Sequence, residues 1–175
     1  DVDVHLGPEM KSTGEVLGVG RTLREALYKG LSAAGYSLKK RGGVLFTIRD
    51  SDKAEIVLTA RKFFDMGFKI YATEGTAKLL NAAGIDTQVA YKIHQNSEYN
   101  IVNMLEEGII DYVISTSSKG RIPTYDNVKI RRKAVELSIP CLTSVDTANA
   151  IIDSLNSGYS LYTTEIVDIN TMRKK

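Results

Sequence analysis

Apolar residues along this chain switch period repeatedly. Short runs rich in β-branched and aromatic residues fall at 44–48, 68–72, 87–91, 112–115 and 140–143 and predict strands, while the stretches between them carry apolar residues at helical spacing. Val57, Ala60 and Phe64 share one face of the first intervening helix. Ala148, Ile151, Ile152 and Leu155 follow the i, i+3, i+4, i+7 spacing in the last. Asp50 or Ser51 is expected to cap the first of these helices, and Gly67 stands just past its end. Strands alternating with helices predict an α/β fold, a Rossmann-like three-layer domain on a mostly parallel five-stranded sheet. Right-handed crossovers then bring the strand-to-helix turns to one carboxyl edge, where such sheets bind ligands.

The start of the chain does not share this rhythm. Residues 1–6 alternate briefly, and GPEMKSTGEVLGVG is a glycine-rich loop without a strand–helix unit. Leu23, Ala26, Leu27, Gly30, Leu31 and Ala34 then form an amphipathic helix, begun at Thr22 and stopped at Gly35. The KKRGG stretch reads as a linker, which divides the chain into residues 1–36 and 37–175. The closing LYTTEIVDINTMRKK predicts one more strand and a short helix.

Composition narrows the field by exclusion. At 175 residues with 43% hydrophobic content the chain is long enough for one core and an appendage. Its 23 basic and 21 acidic residues leave a net charge of only +2, too small a field to suggest a nucleic-acid or membrane partner. The clusters Lys39-Lys40-Arg41, Arg131-Arg132-Lys133 and Arg173-Lys174-Lys175 read as solvated helix ends, linker or tail. Cys141, the single cysteine, cannot form an internal disulfide and lies in an apolar strand, which fits inert core in a reducing, cytoplasmic setting. His94 and His5 lack partners at metal-ligand spacing, so no metal site is expected.

The chemistry concentrates in 43–84. There the Thr73-Glu-Gly75-Thr76 turn opens a helix directly after a strand. The first N–H groups of a helix have no carbonyl partner and attract an anion. Thr73 and Thr76 add hydroxyls, and Gly75 presents bare backbone. Thr73 serves equally as an ordinary helix cap, and a lone Lys53 or Lys92 as surface charge. Parallel topology, however, brings both lysines and this turn to one edge, which favours a phosphate site.

Two stretches carry a family resemblance. Residues 6–27, LGPEMKSTGEVLGVGRTLREAL, resemble the end of the second ATP-grasp domain in the large chain of carbamoyl-phosphate synthetases. The chain from Gly43 onward is similar to the methylglyoxal-synthase-like regulatory domain of the same enzymes, with a turn shared by methylglyoxal synthases and inosinate cyclohydrolase domains. The resemblance implies that 1–36 is an ATP-grasp remnant with a connecting helix and 37–175 an allosteric domain, the whole a non-catalytic piece of a larger ligase. It implies no cofactor in this chain. The full synthetase uses ATP, Mg2+ and K+, works with a glutaminase small chain, and makes carbamoyl phosphate from glutamine and bicarbonate for pyrimidine and arginine synthesis.

In that family the regulatory domain binds UMP and IMP. Lys53 in SDK, Thr73, Gly75 and Thr76 in ATEGT, and Lys92 in YKIH match the phosphate-holding positions. Ser115 and Ser117 in ISTSS stand where the family commonly has Asn and Thr, and Asn127 in YDNVKIRR falls on a small polar position. These departures leave the phosphate grip intact and the preferred base open. Thr143 in CLTSVD matches a position near ornithine in members that use this activator. Two other readings stay open. One is a methylglyoxal synthase acting on dihydroxyacetone phosphate, although alignment puts Arg49 at its first histidine, Glu98 near its base aspartate, and Thr124 and Asn127 near its second His/Asp pair. The other is a homo-oligomerisation module using the helix at 145–156.

Overall fold

A computed structural model of the chain describes residues 22–96, 98–116 and 125–158. The glycine-rich start, the 117–124 segment that holds Ser117 and Thr124, and the strand and helix expected beyond 158 lie outside the described residues.

Five strands, β1 (Gly43–Thr47), β2 (Lys69–Ala72), β3 (Thr87–Val89), β4 (Tyr112–Ser115) and β5 (Cys141–Leu142), form one parallel sheet in the order β3-β2-β1-β4-β5. The helices between them are α2 (Lys53–Asp65), α3 (Glu74–Ala82), α4 (Ile101–Glu106) and α5 (Tyr125–Glu136), with α1 (Leu23–Ala33) before the sheet and α6 (Val145–Asn156) after it. The chain winds outward from β1 to β3, then returns to β4 and β5 on the other side. The expected doubly covered sheet is present.

Alternation along the strands sorts the core into two layers. Val44, Phe46, Ile70, Ala72, Tyr112 and Ile114 pack with Ile56, Phe63, Leu80 and Ile151 of α2, α3 and α6. Leu45, Tyr71 and Val113 pack with Ile101, Met104 and Ile130 of α4 and α5. All five residues of β1 are buried, as a central parallel strand covered on both faces requires. Phe63 meets Phe46, Phe68 and Tyr112 at ring-centroid distances of 6.0, 5.2 and 6.2 Å.

The expected α2 face needs a correction. Ile56, Thr59, Ala60 and Phe63 are buried, whereas Val57 and Phe64 are only half-buried. The run IVLTARKFF is apolar at adjacent positions, so two helical faces fit its pattern. The choice falls on the one that puts Phe63 in the aromatic cluster and lets the Thr59 hydroxyl donate to Asn149 Oδ1 at 2.9 Å. The expected cap also differs. Asp50–Asp52 form a 3-10 turn ahead of α2, Asp52 is the N-cap, and no side chain bonds the helix start. Gly67 does end the helix, with φ at +94°.

At the opposite edge the linker is tied down. Asp111 accepts from Lys39 Nζ at 2.8 Å and from the Gly43 N–H at 3.0 Å, and the Tyr112 hydroxyl donates to the Lys39 carbonyl at 2.7 Å. Burial, and after it the Asp111 charge, pushes the Tyr112 phenol well above its ordinary value. Helix α1 starts as expected, with Thr22 accepting from the Glu25 N–H at 3.2 Å. It packs on α6, where the Ser154 hydroxyl donates to the Arg24 carbonyl at 3.0 Å, and turns Leu27 and Leu31 toward the first core layer.

Gly43 stands where this edge brings backbone against backbone. A Cβ there would overlap the Ile109 carbonyl oxygen, which is backbone and cannot swing aside. Gly43→Ala should therefore lower unfolding free energy by about 1–3 kcal/mol, the range for overpacking, and urea denaturation with an unshifted midpoint would contradict this packing.

Candidate phosphate-binding site

The row of side chains that runs through Leu45, Tyr71 and Val113 continues at the carboxyl edge with Thr47, Thr73 and Ser115, at the ends of three adjacent strands. Apolar residues give way to hydroxyls where the strands end. Thr47 and Ser115 pair in register and are buried at 8% and 2% exposure. The Thr47 hydroxyl has no hydrogen-bond partner among the described residues. Sequence reasoning missed Thr47; the available signal was a hydroxyl closing an otherwise apolar strand at the ligand-binding edge.

Helix α3 opens beside this row without a side-chain cap. Thr73 occupies the N-cap position with extended backbone, and its N–H donates to the Phe46 carbonyl at 3.2 Å. Its hydroxyl makes no capping bond, so the ordinary cap reading of Thr73 describes the backbone only. Helices α1, α4 and α6 use the side chains of Thr22, Asn100 and Ser144 for this purpose. The leading N–H groups of α3 are thus directed outward with the positive end of the helix dipole. Thr76, in the same turn, is 1% exposed and its hydroxyl lacks a partner among the described residues.

Lys53 completes the group. A Cβ on Gly75 would lie 3.0 Å from Lys53 Nζ, so the ammonium rests against the bare backbone of this turn. It is held meanwhile by Asp50 Oδ1 at 2.6 Å, whose carboxyl it draws below the ordinary value, through the hydrogen bond first and its charge second. Asp50 is 94% exposed, a partner easily exchanged for a ligand anion. The geometry thus brings together Lys53, Thr73, Gly75 and Thr76.

The other expected positions are spread along the rim. Lys92 follows β3, one strand beyond β2, and is half-buried, its N–H donating to Gln95 Oε1 at 2.9 Å. Ser115 closes β4 on the other side of β1, and its carbonyl accepts from Arg131 Nη2 at 3.4 Å. Asn127 is half-buried in the first turn of α5. Thr143 follows edge strand β5 and does not join the group around α3. It lines a separate cleft of about 550 Å³ with Arg49, Thr116 and Arg131. Arg131 is therefore not the solvated member of a basic cluster that the sequence suggested, whereas Lys133 pairs with Glu106 and Glu136 at 3.0 and 3.3 Å. Cys141, expected in the core, is half-buried on edge strand β5 against the second core layer, its thiol pushed up by burial, with a smaller opposing effect from Arg131.

Arg49 is engaged with the 3-10 turn and with the end of β4. Its Nε meets Asp52 Oδ2 at 2.6 Å and its N–H donates to Thr116 Oγ1 at 3.0 Å. Glu98 is exposed. Sequence reasoning also missed the partner of His94, whose Nδ1 lies 2.7 Å from Asp126 Oδ2 on α5. Among the described residues, no group of three or more His, Cys, Asp or Glu could hold a metal ion, and no helix is long and apolar enough to cross a membrane.

Two comparisons bear on this arrangement. The family model described as MGS-like domain matches residues 55–143. Among solved structures, a methylglyoxal synthase from Elizabethkingia anophelis NUHP1 is similar in fold, with a TM-score of 0.54 and 19% sequence identity over 78% of this chain and 92% of that chain.

Two predictions test the site's energetics. A buried donor without a partner costs about 1–3 kcal/mol. Thr76→Val should therefore stabilise the free chain by about 1 kcal/mol in urea denaturation while abolishing any stabilisation by added phosphate; a destabilised variant that still responds to phosphate would refute the account of this hydroxyl. The second concerns acid. Arg49 above all holds the Asp52 carboxyl below its ordinary value, with Thr116 assisting. The stability this gives is complete above the unfolded-state value of about 3.9 and is lost as pH falls through the lower folded value. Asp52→Asn should flatten the acid limb of a stability profile below about pH 4, and an unchanged limb would mean that the pair contributes nothing.

Proposed function

The chain belongs to the MGS-like domain family, and from that premise we propose that it is the allosteric domain of a carbamoyl-phosphate synthetase large chain, binding nucleoside monophosphates of the UMP and IMP type through the α3 turn. The observation that carries this reading is the Lys53 ammonium resting against the Gly75 backbone, beside an uncapped helix start and the buried Thr76 hydroxyl, which has no partner among the described residues. These groups offer a phosphate one full positive charge, the partial charge of a helix start and several donors. Lys53 and the turn supply charge-assisted hydrogen bonds worth about 1.5–3 kcal/mol each. The resemblance of GPEMKSTGEV to the synthetase family supports the choice of enzyme. On this reading ATP, Mg2+ and K+ belong to other parts of the synthetase, its glutaminase small chain and the rest of the large chain are the partners, and the cytoplasm is its compartment.

A second reading is favoured by the likeness to a methylglyoxal synthase and by the His94–Asp126 pair at the same rim. That reaction requires a general base beside the phosphate. The aligned positions instead hold Arg49, already paired with Asp52, and an exposed Glu98, which argues for binding without turnover.

Titration calorimetry with UMP and with IMP on the chain and on Lys53→Ala distinguishes these. Binding weakened about ten- to a hundredfold in the variant is expected, equivalent to about 1.4–2.8 kcal/mol. Equal affinity of the two proteins, or methylglyoxal formed from dihydroxyacetone phosphate by the unaltered chain, would overturn the proposal. A smaller effect in the opposite direction is expected of Asp50→Asn. It releases Lys53 from an exposed pair worth about 0.2–1 kcal/mol and should tighten binding by up to about fivefold.

A further inference from the structure

We propose that His94 is a positioning residue for this phosphate site: through Asp126 it holds the β3–α4 loop, and with it Lys92, against the first turn of α5 where Asn127 stands. The inference rests on the phosphate-binding reading above and assigns a role to a contact that the reading itself does not use.

The loop is a compact turn folded on its own backbone. Lys92 donates its N–H to Gln95 Oε1 at 2.9 Å, and its carbonyl accepts from the Gln95 and Asn96 N–H groups at 3.0 and 3.3 Å. Asn100 Nδ2 donates to the Asn96 carbonyl at 3.0 Å, and the Ile101 N–H closes the loop onto the Tyr91 carbonyl at 2.9 Å. Lys92 is therefore built into the turn, and a displacement of the turn displaces it. Each of those bonds begins and ends within the loop or at the head of α4, which packs on α5 through Ile101 and Met104 against Ile130, so they fix the loop's shape and its base while its tip at His94 is tied to α5 only by what His94 itself contacts among the described residues.

The His94–Asp126 contact ties the tip of the loop to α5 directly, at 2.7 Å between residues 32 apart in sequence. A carboxylate only accepts, so the ring's Nδ1–H donates. The two ends differ in burial. The Asp126 side chain is 12% exposed, and a carboxylate so enclosed requires a hydrogen-bond partner, whereas the His94 ring is 68% exposed and held chiefly by this bond. The cation three residues along α5 does not compete, because Lys129 Nζ sits over the Tyr125 ring, 4.3 Å from its centroid. An exposed histidine clamped to a buried carboxylate on α5 is placed to hold the turn that carries Lys92 at a set distance from the group around α3.

The test is UMP calorimetry on the chain, His94→Ala, His94→Asn and Lys53→Ala, with melting temperatures measured in parallel. The exposed ring is removable without loss of core. His94→Ala should bind UMP about threefold to tenfold more weakly at a nearly unchanged melting temperature, the loss of one hydrogen bond's ordering. His94→Asn, whose amide nitrogen takes the place of Nδ1, should recover most of the affinity, which a purely steric role for the ring would not predict. If His94→Ala matches the parent while Lys53→Ala binds more weakly, the clamp is refuted and the phosphate reading survives. An asparagine variant as weak as the alanine one also refutes it. Should Lys53→Ala bind as well as the parent, the phosphate reading falls and takes this inference with it.

Discussion

A parallel sheet covered on both faces uses up its backbone hydrogen bonds and its apolar side chains internally, and the rest of this protein follows from that constraint. Polar chemistry is confined to the rim. Thr47, Thr73 and Ser115 continue the strand rows to the point where the covering helices end, and there the hydroxyls meet the starts of α2 and α3. Hydroxyls one turn deeper would be buried among Leu45, Tyr71 and Val113 with nothing to bond. One turn further out they would be lost to water. The rim is the one level at which a buried hydroxyl and an incoming anion can both reach an open helix end.

The chain treats its helix starts unequally, and the inequality has an energetic meaning. Thr22, Asn100 and Ser144 cap α1, α4 and α6, each an arrangement worth about 0.5–2 kcal/mol. Around α3 that stabilisation is forgone, and two buried hydroxyls nearby, on Thr47 and Thr76, have no partner among the described residues. Local deficits of this sort gather where a ligand supplies the missing partner. The Lys53–Asp50 pair belongs to the same balance. It keeps the ammonium beside the turn at little cost, because an exposed i, i+3 pair binds weakly enough to be exchanged.

What the sequence conveyed and what it withheld divide along the same line. The strands were legible because a central parallel strand must be apolar throughout, and the buried face of α6 because Ala148, Ile151, Ile152 and Leu155 admit only one helical face. The face of α2 was misplaced by one position, since IVLTARKFF satisfies two faces and only Phe63's aromatic neighbours decide between them. Lys53 and the Thr73–Thr76 turn were recognisable because each lies next to a strand end in sequence. The His94–Asp126 contact was not, because the segments that carry it come together only through the return of the chain from β3 to β4. Arg131 was hidden by its neighbours: in a run of three basic residues nothing local says which one turns inward to the Ser115 carbonyl.

The placement of α1 bears on how such a site would act on anything beyond itself. Helix α2, which begins with Lys53, is joined to α6 by the Thr59–Asn149 bond and by the Lys62–Asp153 ion pair at 3.0 Å. Helix α6 in turn holds α1 through Ser154 and through Leu27 and Leu31 against the shared core layer. The route from phosphate donor to the helix preceding the sheet is thus two packed interfaces long, all within one layer. Proximity of this kind is not coupling by itself. For a ligand to bias α1, the α2–α6 and α6–α1 contacts must have two arrangements that the anion stabilises unequally. The α2–α6 interface mixes a buried hydroxyl–amide bond with an exposed ion pair, and α6 meets α1 through half-buried leucines and one hydroxyl.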